Sequence, residues 1–291
     1  MTSKRQLMNW AAGELSRAGI ESPEQDIALL LKWVLDCDAL ALWQRETLTE
    51  SEELSFKEAL ERRRQREPLA FITGKQGFWT LDFEVSPATL IPRGDSEALI
   101  EALLDVRPER QAVRRLLDLG TGTGCLLLSA LSEYKGATGL GVDIDPDAVL
   151  LAKRNAVLNG LEGRVDFMVS CWTEQVKGRF DVILSNPPYI EHDVIAGLMP
   201  EVTLYEPHRA LDGGTDGLEA YRLLCALLPD YLEDTGCIIF ELGQGQEEAV
   251  TEIAARHGLK KRLCKTDLGG ITRALVLEKD KKHIGEQLQN W

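Results

Sequence analysis

Residues 115–145 read RLLDLGTGTGCLLLSALSEYKGATGLGVDID, and this stretch decides the fold. Arg115–Leu119 is a short apolar run of strand length. Glycines follow at 120, 122 and 124, and Leu126–Leu131 then reads as a helix. Leu140–Ile144 is a second strand, and Pro146–Asn159 a second helix. Strand, glycine turn, helix and strand in direct succession describe a parallel β-α-β unit. The rhythm continues downstream. Strands are expected at Val165–Val169, Phe180–Ser185, Cys237–Leu242 and Thr272–Glu278, with helices at Gly217–Leu228 and Gln246–His257. The expectation is an α/β fold built on a doubly wound, mainly parallel sheet. Ligands of such sheets bind beyond the carboxyl ends of the strands, near the point where strand order reverses.

Upstream the character changes. Leu7, Trp10, Leu15 and Ala18 recur at roughly helical spacing, and Gly19 is a C-terminal stop. Ser22-Pro23-Glu24-Gln25 reads as a capping box with proline at the first helical position. Thr49-Glu50-Ser51-Glu52 is a second box, opening a helix that ends before Pro68. Trp79, Leu81, Phe83 and Val85 then alternate with polar residues, the period of a strand. Asp95 is expected to cap a helix through Leu104. The chain therefore divides into a helical bundle at 1–70, a β-hairpin linker at 71–91, an α/β domain at 92–282 and a tail at 283–291.

Of 291 residues, 44% are hydrophobic and 27% charged, as in an ordinary globular protein that buries a core without staples. The net charge is −14, which repels phosphate backbones and makes direct nucleic-acid binding unexpected. The densest basic run, Glu61 to Arg66, reads as a solvated helix face. Six cysteines, with no C-x-x-C, read as free thiols of a reducing compartment, so the expected location is cytoplasmic. The first residues lack the apolar run of a signal peptide, and no apolar stretch approaches membrane-spanning length. No coiled-coil or swapped element is visible, which favours a monomer.

Three motifs carry chemistry. In Asp118-Leu119-Gly120-Thr121-Gly122-Thr123-Gly124, the glycines let a ligand approach the backbone at a helix N-terminus, where N–H groups are free. The G-x-G-x-G spacing is neither a dinucleotide fingerprint nor a P-loop. Asp143 ends the second strand at a separation where an acid meets ribose hydroxyls. Asp145 is placed to cap the helix at Pro146. The third motif is Ser185-Asn186-Pro187-Pro188-Tyr189-Ile190. Two prolines cannot continue a strand, and they withdraw backbone donors from the loop. What remains is a rigid row of acceptors, the Asn186 amide oxygen and the Asn186 and Pro187 carbonyls, beside the flat ring of Tyr189. Such a set holds a planar –NH2 group by its two hydrogens and leaves the nitrogen lone pair aimed outward. The four histidines do not cluster at metal spacing, so no metal is expected. The Asp212–Gly217 loop lacks the ligand pattern of a calcium loop and reads as a glycine-rich turn.

These motifs, with GKQGFWTLDFEV, TLIPRGDSEALIE, YEPHRALDGGTDGLEAYR and FELGQGQ in order, resemble the HemK-type protein-glutamine methyltransferases. The resemblance covers nearly the whole chain. It implies a Rossmann-like class I methyltransferase sheet, joined by the hairpin to a small helical bundle that helps grip the substrate protein. It also implies S-adenosylmethionine as cofactor, S-adenosylhomocysteine as product, and peptide chain release factors methylated on the glutamine of a Gly-Gly-Gln loop. Carried over residue by residue, Gly120, Thr121, Gly122, Thr123 and Gly124 would wrap the methionine part of the cofactor. Asp143 would hold the ribose and Trp172 would flank the adenine. Asn186 would meet both cofactor and amide, with Pro187, Pro188 and Tyr189 completing the glutamine site. Asn186, Pro187 and Tyr189 are the catalytic candidates.

Two positions depart from the pattern. Gly94 stands where a proline usually stiffens the loop, and Cys171 stands where an acid usually precedes the aromatic, with Thr173 a candidate substitute. Other substrates stay open at this point: a ribosomal-protein glutamine, an exocyclic base amine in nucleic acid, or cofactor binding without transfer.

Overall fold

The computed structural model describes residues 2–280. The expected tail at 283–291, with His283 and the last residues of the expected α/β domain, lies outside the described residues. Two compact units emerge. One comprises the chain up to Lys75 together with Met199–Tyr205, and the other takes Gln76–Leu198 and the chain from Glu206 onward.

In the first unit, helices Lys4–Arg17, Pro23–Val34, Ala39–Gln44, Glu50–Arg64 and Leu69–Thr73 enclose Leu7, Ala11, Leu15, Ile27, Leu30, Leu31, Phe56 and Leu60. The buried stripe of the first helix runs through Ala11, while Trp10 is 44% exposed, so the apolar spacing had marked a face slightly off the true one. The Thr49–Glu52 capping box forms as expected. The expected box at Ser22 does not: Ser22 makes no side-chain cap, and proline at the first position starts that helix. The basic run is a solvated face at Glu61, Arg62, Arg64 and Gln65, as expected, but not at Arg63. Arg63 is 9% exposed. Its guanidinium donates to Asp26 (2.7 Å) and to Glu201 (2.9 Å), and Glu201 also takes Arg66 (2.6 Å). Arg63 and Arg66 are thus drawn into an ion cluster with Asp26 and Glu201, while Arg62 and Arg64 stay exposed.

The hairpin is shorter than expected. Lys75–Phe78 pairs with Leu81–Glu84 across a turn in which Trp79 has φ +57°, while Leu69–Thr73 is helical and stops at left-handed Gly74. Asp95 lies in a 3-10 turn, Gly94–Ser96, and pairs with Arg273 (3.0 Å) instead of capping the helix Glu97–Val106.

The second unit is built on seven strands, labelled β1 Arg115–Leu119, β2 Thr138–Asp143, β3 Val165–Val169, β4 Phe180–Ser185, β5 Leu232–Glu241, β6 Leu259–Thr266 and β7 Thr272–Lys279. Their order is β6-β7-β5-β4-β1-β2-β3. All neighbours are parallel except β7, which is antiparallel to β5 and β6. Residues alternate faces with period two. Leu116, Leu184, Ile239 and Val276 pack under helices Glu97–Val106, Cys125–Glu133 and Pro146–Leu158. Leu117, Ile183, Phe240 and Leu275 pack under Glu219–Leu227 and Glu247–Arg256. β6 was not foreseen. Its sequence LKKRLCKT carries four basic residues, which suits an edge strand that must not recruit another. Strand order reverses at β1, between β2 and β4. Leu119 pairs with Ser185, so the glycine turn and Asn186 leave the sheet side by side.

Candidate active site

The glycine turn needs glycine at each alternate place: Gly120, Gly122 and Gly124 have φ of +72°, +53° and +82°. That left-handed backbone lets the N–H groups of Gly120 and Thr121 both donate to Val142 (2.9 Å each), which folds the turn back over β2. A cavity of about 340 Å³ opens there. Its wall takes Gly120–Thr123 after β1, Asp143 and Ile144 after β2, Ser170–Trp172 after β3, and Asn186 and Pro188 after β4. The segment 88–93 with Ser96, and Arg209–Ala210, close the other side. Gly124 starts the helix behind the turn. Pro187 is buried and, like Tyr189, backs the wall without forming it.

Asp143 accepts the Gly122 N–H on one oxygen (2.9 Å) and the Asp145 N–H on the other (3.0 Å), leaving lone pairs toward the cavity it lines. Asp145 caps the following helix at Asp147 (2.8 Å), as expected. Trp172 is held at φ +47°, and the Ser170 hydroxyl donates to its carbonyl (3.0 Å), which sets the ring in the wall. Cys171 beside it is exposed. Thr173 is buried outside the wall, so it does not replace an acid there.

The Asn186–Ile190 loop is fixed from behind. Gln246 accepts the Gly243 N–H (2.9 Å), and its amide donates to the carbonyls of Tyr189 (3.0 Å) and Gly217 (3.2 Å). The Asp212–Gly217 turn braces the loop: Gly213 N–H donates to Ile190 (2.8 Å), and Ile190 N–H to Leu211 (3.0 Å). Tyr189 donates its phenol to Glu241 (3.2 Å). Among the described residues the Asn186 amide has no partner, so its oxygen and –NH2 stay available in the cavity wall. His192 stands 2.7 Å from Asp212, which raises its pKa. Neither it nor His208 enters the wall.

Burial pushes the Asp118 carboxyl up to about 7, opposed by the Thr121 hydroxyl (2.7 Å) and aided by the nearby charge of Asp143. Burial also raises Asp143 itself. Glu241 is pushed up to about 7 by burial, opposed by the nearby Ser96 hydroxyl and by the hydrogen bond from Tyr189. Carboxyls in and behind one cavity wall make a field that favours a cationic ligand. The buried Thr89 hydroxyl, without a partner among the described residues, faces the same space. Among those residues no three His, Cys, Asp or Glu side chains group as metal ligands, and no helix is long and apolar enough to cross a membrane.

Sequence reading missed Thr89, Ser96 and Arg209 as wall residues, and Gln246 and Glu241 as supports. All come from segments quoted above only for their resemblance. No local pattern marks them, because the fold brings them in from other elements.

Residues 6–74 match the PrmC N-terminal domain family, and residues 94–213 the methyltransferase small domain family. The release factor glutamine methyltransferase of Rhodospirillum rubrum is 44% identical over 93% of this chain and 83% of its own. That of Agrobacterium fabrum is 39% identical over 92% and 95%. Among solved structures, a methyltransferase from Pyrococcus furiosus superposes with TM-score 0.50 at 20% identity, over 68% of this chain and 89% of its own. The hMettl16 catalytic domain gives 0.54 at 16%, over 80% and 84%, which extends the likeness of fold alone. Relatives of this identity along nearly the full length, with both domains matched, show that the chain belongs to the release factor glutamine methyltransferase family.

Proposed function

We propose that this enzyme methylates the side-chain amide nitrogen of a glutamine in a peptide chain release factor, using S-adenosylmethionine. The observation that carries the reading is the pairing of Leu119 with Ser185, which sets the glycine cradle beside the unpartnered Asn186 amide at the switch point. The residues fit the cofactor: three left-handed glycines leave an open cradle, an unpartnered buried hydroxyl faces it, and the surrounding carboxyls suit a sulfonium. When bound, it would supply a methyl group on a sulfonium, the sulfur keeping the electron pair of the carbon–sulfur bond and the amide nitrogen giving its proton to solvent.

The chain's own residues bind and orient. Gly120, Thr121, Gly122, Thr123 and Gly124 cradle the methionine portion, Asp143 takes the ribose hydroxyls, and Trp172 flanks the adenine. The Asn186 oxygen and the Pro187 carbonyl accept the two amide hydrogens. Pro188 and Tyr189 shape the slot around the side chain. An amide nitrogen is a poor nucleophile because its lone pair is delocalised. Acceptors fixed on its hydrogens favour the positive charge that develops as it attacks, and positioning supplies the rest. The helical bundle at the chain's start serves to grip the release factor. The enzyme works as a monomer in the cytoplasm, and its −14 charge supports a protein substrate over nucleic acid.

The test is transfer of labelled methyl from S-adenosylmethionine to a release factor of the same cell. It runs beside a factor whose Gly-Gly-Gln glutamine is changed to alanine, and beside an Asn186→Ala enzyme. Label on the unaltered factor with the unaltered enzyme alone is expected. Label on the altered factor would refute the glutamine assignment.

A further inference from the structure

We propose that Glu241 is a positioning residue for the methyl acceptor: its buried carboxylate accepts the Tyr189 phenol and so fixes the loop that holds the amide. This rests on the glutamine reading above and deepens it. Glu241 ends β5 and is 2% exposed. Phe240 pairs with Ser185, so Glu241 stands beside Asn186 at the carboxyl edge of the sheet. One carboxyl oxygen accepts the Tyr189 phenol (3.2 Å), and the second oxygen has no partner among the described residues. Ser96 lines the cavity; Tyr189 backs it.

A carboxyl in this place is costly and needs a reason. The preceding β5 residues, Ile238, Ile239 and Phe240, are wholly buried and apolar, and a leucine here would extend that layer. The charged and titratable groups facing Glu241 do little to keep it ionised. Asp95, from the turn before the helix Glu97–Val106, repels it. Arg273 at the start of β7 attracts it, but its guanidinium donates to Asp267 (2.9 Å) and Asp95 (3.0 Å). Tyr221 gives its phenol to the Glu241 backbone carbonyl (2.7 Å), and Cys125 is a neutral thiol. Among the described residues the Tyr189 phenol is the side-chain hydrogen bond that the carboxylate receives. Bonds to an ionised acceptor are shorter and roughly twice as strong as neutral ones. The grip on Tyr189 therefore tightens when Glu241 ionises, and burial places that ionisation near pH 7.

Full-length enzyme, labelled cofactor and the release factor give kcat and both KM values from pH 6 to 9. The unaltered enzyme is expected to gain kcat as pH rises through about 7. Glu241→Gln keeps an acceptor but no charge. It should lose at least about tenfold in kcat, keep its KM for cofactor within about twofold, and lose the step near neutrality. Glu241→Asp should restore part of the rate and the step, and Tyr189→Phe should abolish the step. Asp118 and His192 also titrate, so the profile is read at saturating cofactor and as the difference between enzyme and variant. Glu241→Gln should melt higher than the unaltered enzyme at pH 8, because a buried charge is gone. A Gln variant with unchanged kcat and profile would overturn the inference, as would a slowed variant that melts lower and keeps the step. An unaltered enzyme that labels no release factor would overturn the substrate reading and this inference with it.

Discussion

Asn155 offers a sharp test of how the cradle is held. It lies near the end of the helix Pro146–Leu158 and is fully buried. Its oxygen accepts the Glu84 N–H (2.7 Å), and its –NH2 donates to the carbonyls of Glu84 (3.0 Å) and Thr123 (2.9 Å). One side chain thus joins the hairpin, a helix and the glycine turn. Asn155→Leu leaves three backbone groups unpaired. Thr123 is 2% exposed and gets no water, while Glu84 is half-buried and recovers some. At 1–3 kcal/mol for each buried orphan, the expected loss is about 3 kcal/mol. For a unit of this size that lowers Tm by roughly 6–12 °C. Asn155→Asp keeps one bond but sets a carboxylate against two carbonyl oxygens. It should be as damaging at pH 8 and partly relieved at pH 5, where the carboxyl holds a proton. Melting at both pH values, with amide exchange of residues 121–124, reads the outcome. A Leu variant within about 1 kcal/mol of the unaltered enzyme would refute the view that Asn155 carries the turn.

Asp118 and Glu241 both have folded pKa values raised to about 7, so between the ordinary carboxylate range and pH 7 the folded state holds more protons than the unfolded one. Stability should therefore fall as pH rises across that window, and Tm should be higher at pH 5.5 than at pH 8; an equal or reversed order would contradict the burial of these charges. Gly217→Ala would put a Cβ 2.4 Å from the Tyr189 carbonyl and 2.8 Å from the Gln246 amide, at φ +69°. The displaced loop should cost about a hundredfold in kcat while cofactor affinity, measured by calorimetry, holds. Cys171, exposed in the cavity wall, should be alkylated well before the buried Cys225 and Cys237, and saturating S-adenosylhomocysteine should slow its alkylation severalfold by mass spectrometry.

What the sequence made legible was what neighbours along the chain decide. Apolar runs closed by glycine or proline located β1 to β5 and β7, and the double proline located the acceptor loop. Each depends on backbone rules that act within a few residues. β6 was hidden because an edge strand needs charge, and four basic residues erased the apolar signal. Arg63 was misread for the converse reason: a run of arginines looks solvated unless one knows that Glu201, far along the chain, will meet it. Glu241, Gln246 and Asn155 carry no local mark. Their roles arise from bonds to residues 52, 57 and 71 positions away, which only the folded chain brings near.

The ion cluster of the first unit also bears on the order in which the protein can be made. Asp26, Arg63 and Arg66 leave the ribosome early, but Glu201 lies 138 residues after Arg63. At 5–20 residues per second, the wait is roughly 7–28 seconds. Until then Arg63 has Asp26 and Arg66 has the carbonyls of Ala18 and Gly19, and the bundle lacks a counter-ion that the later chain must supply. The unit that holds Asp26 and Arg63 thus waits for Met199–Tyr205 before it can finish, and a fragment ending at Lys75 would stay in that unfinished state.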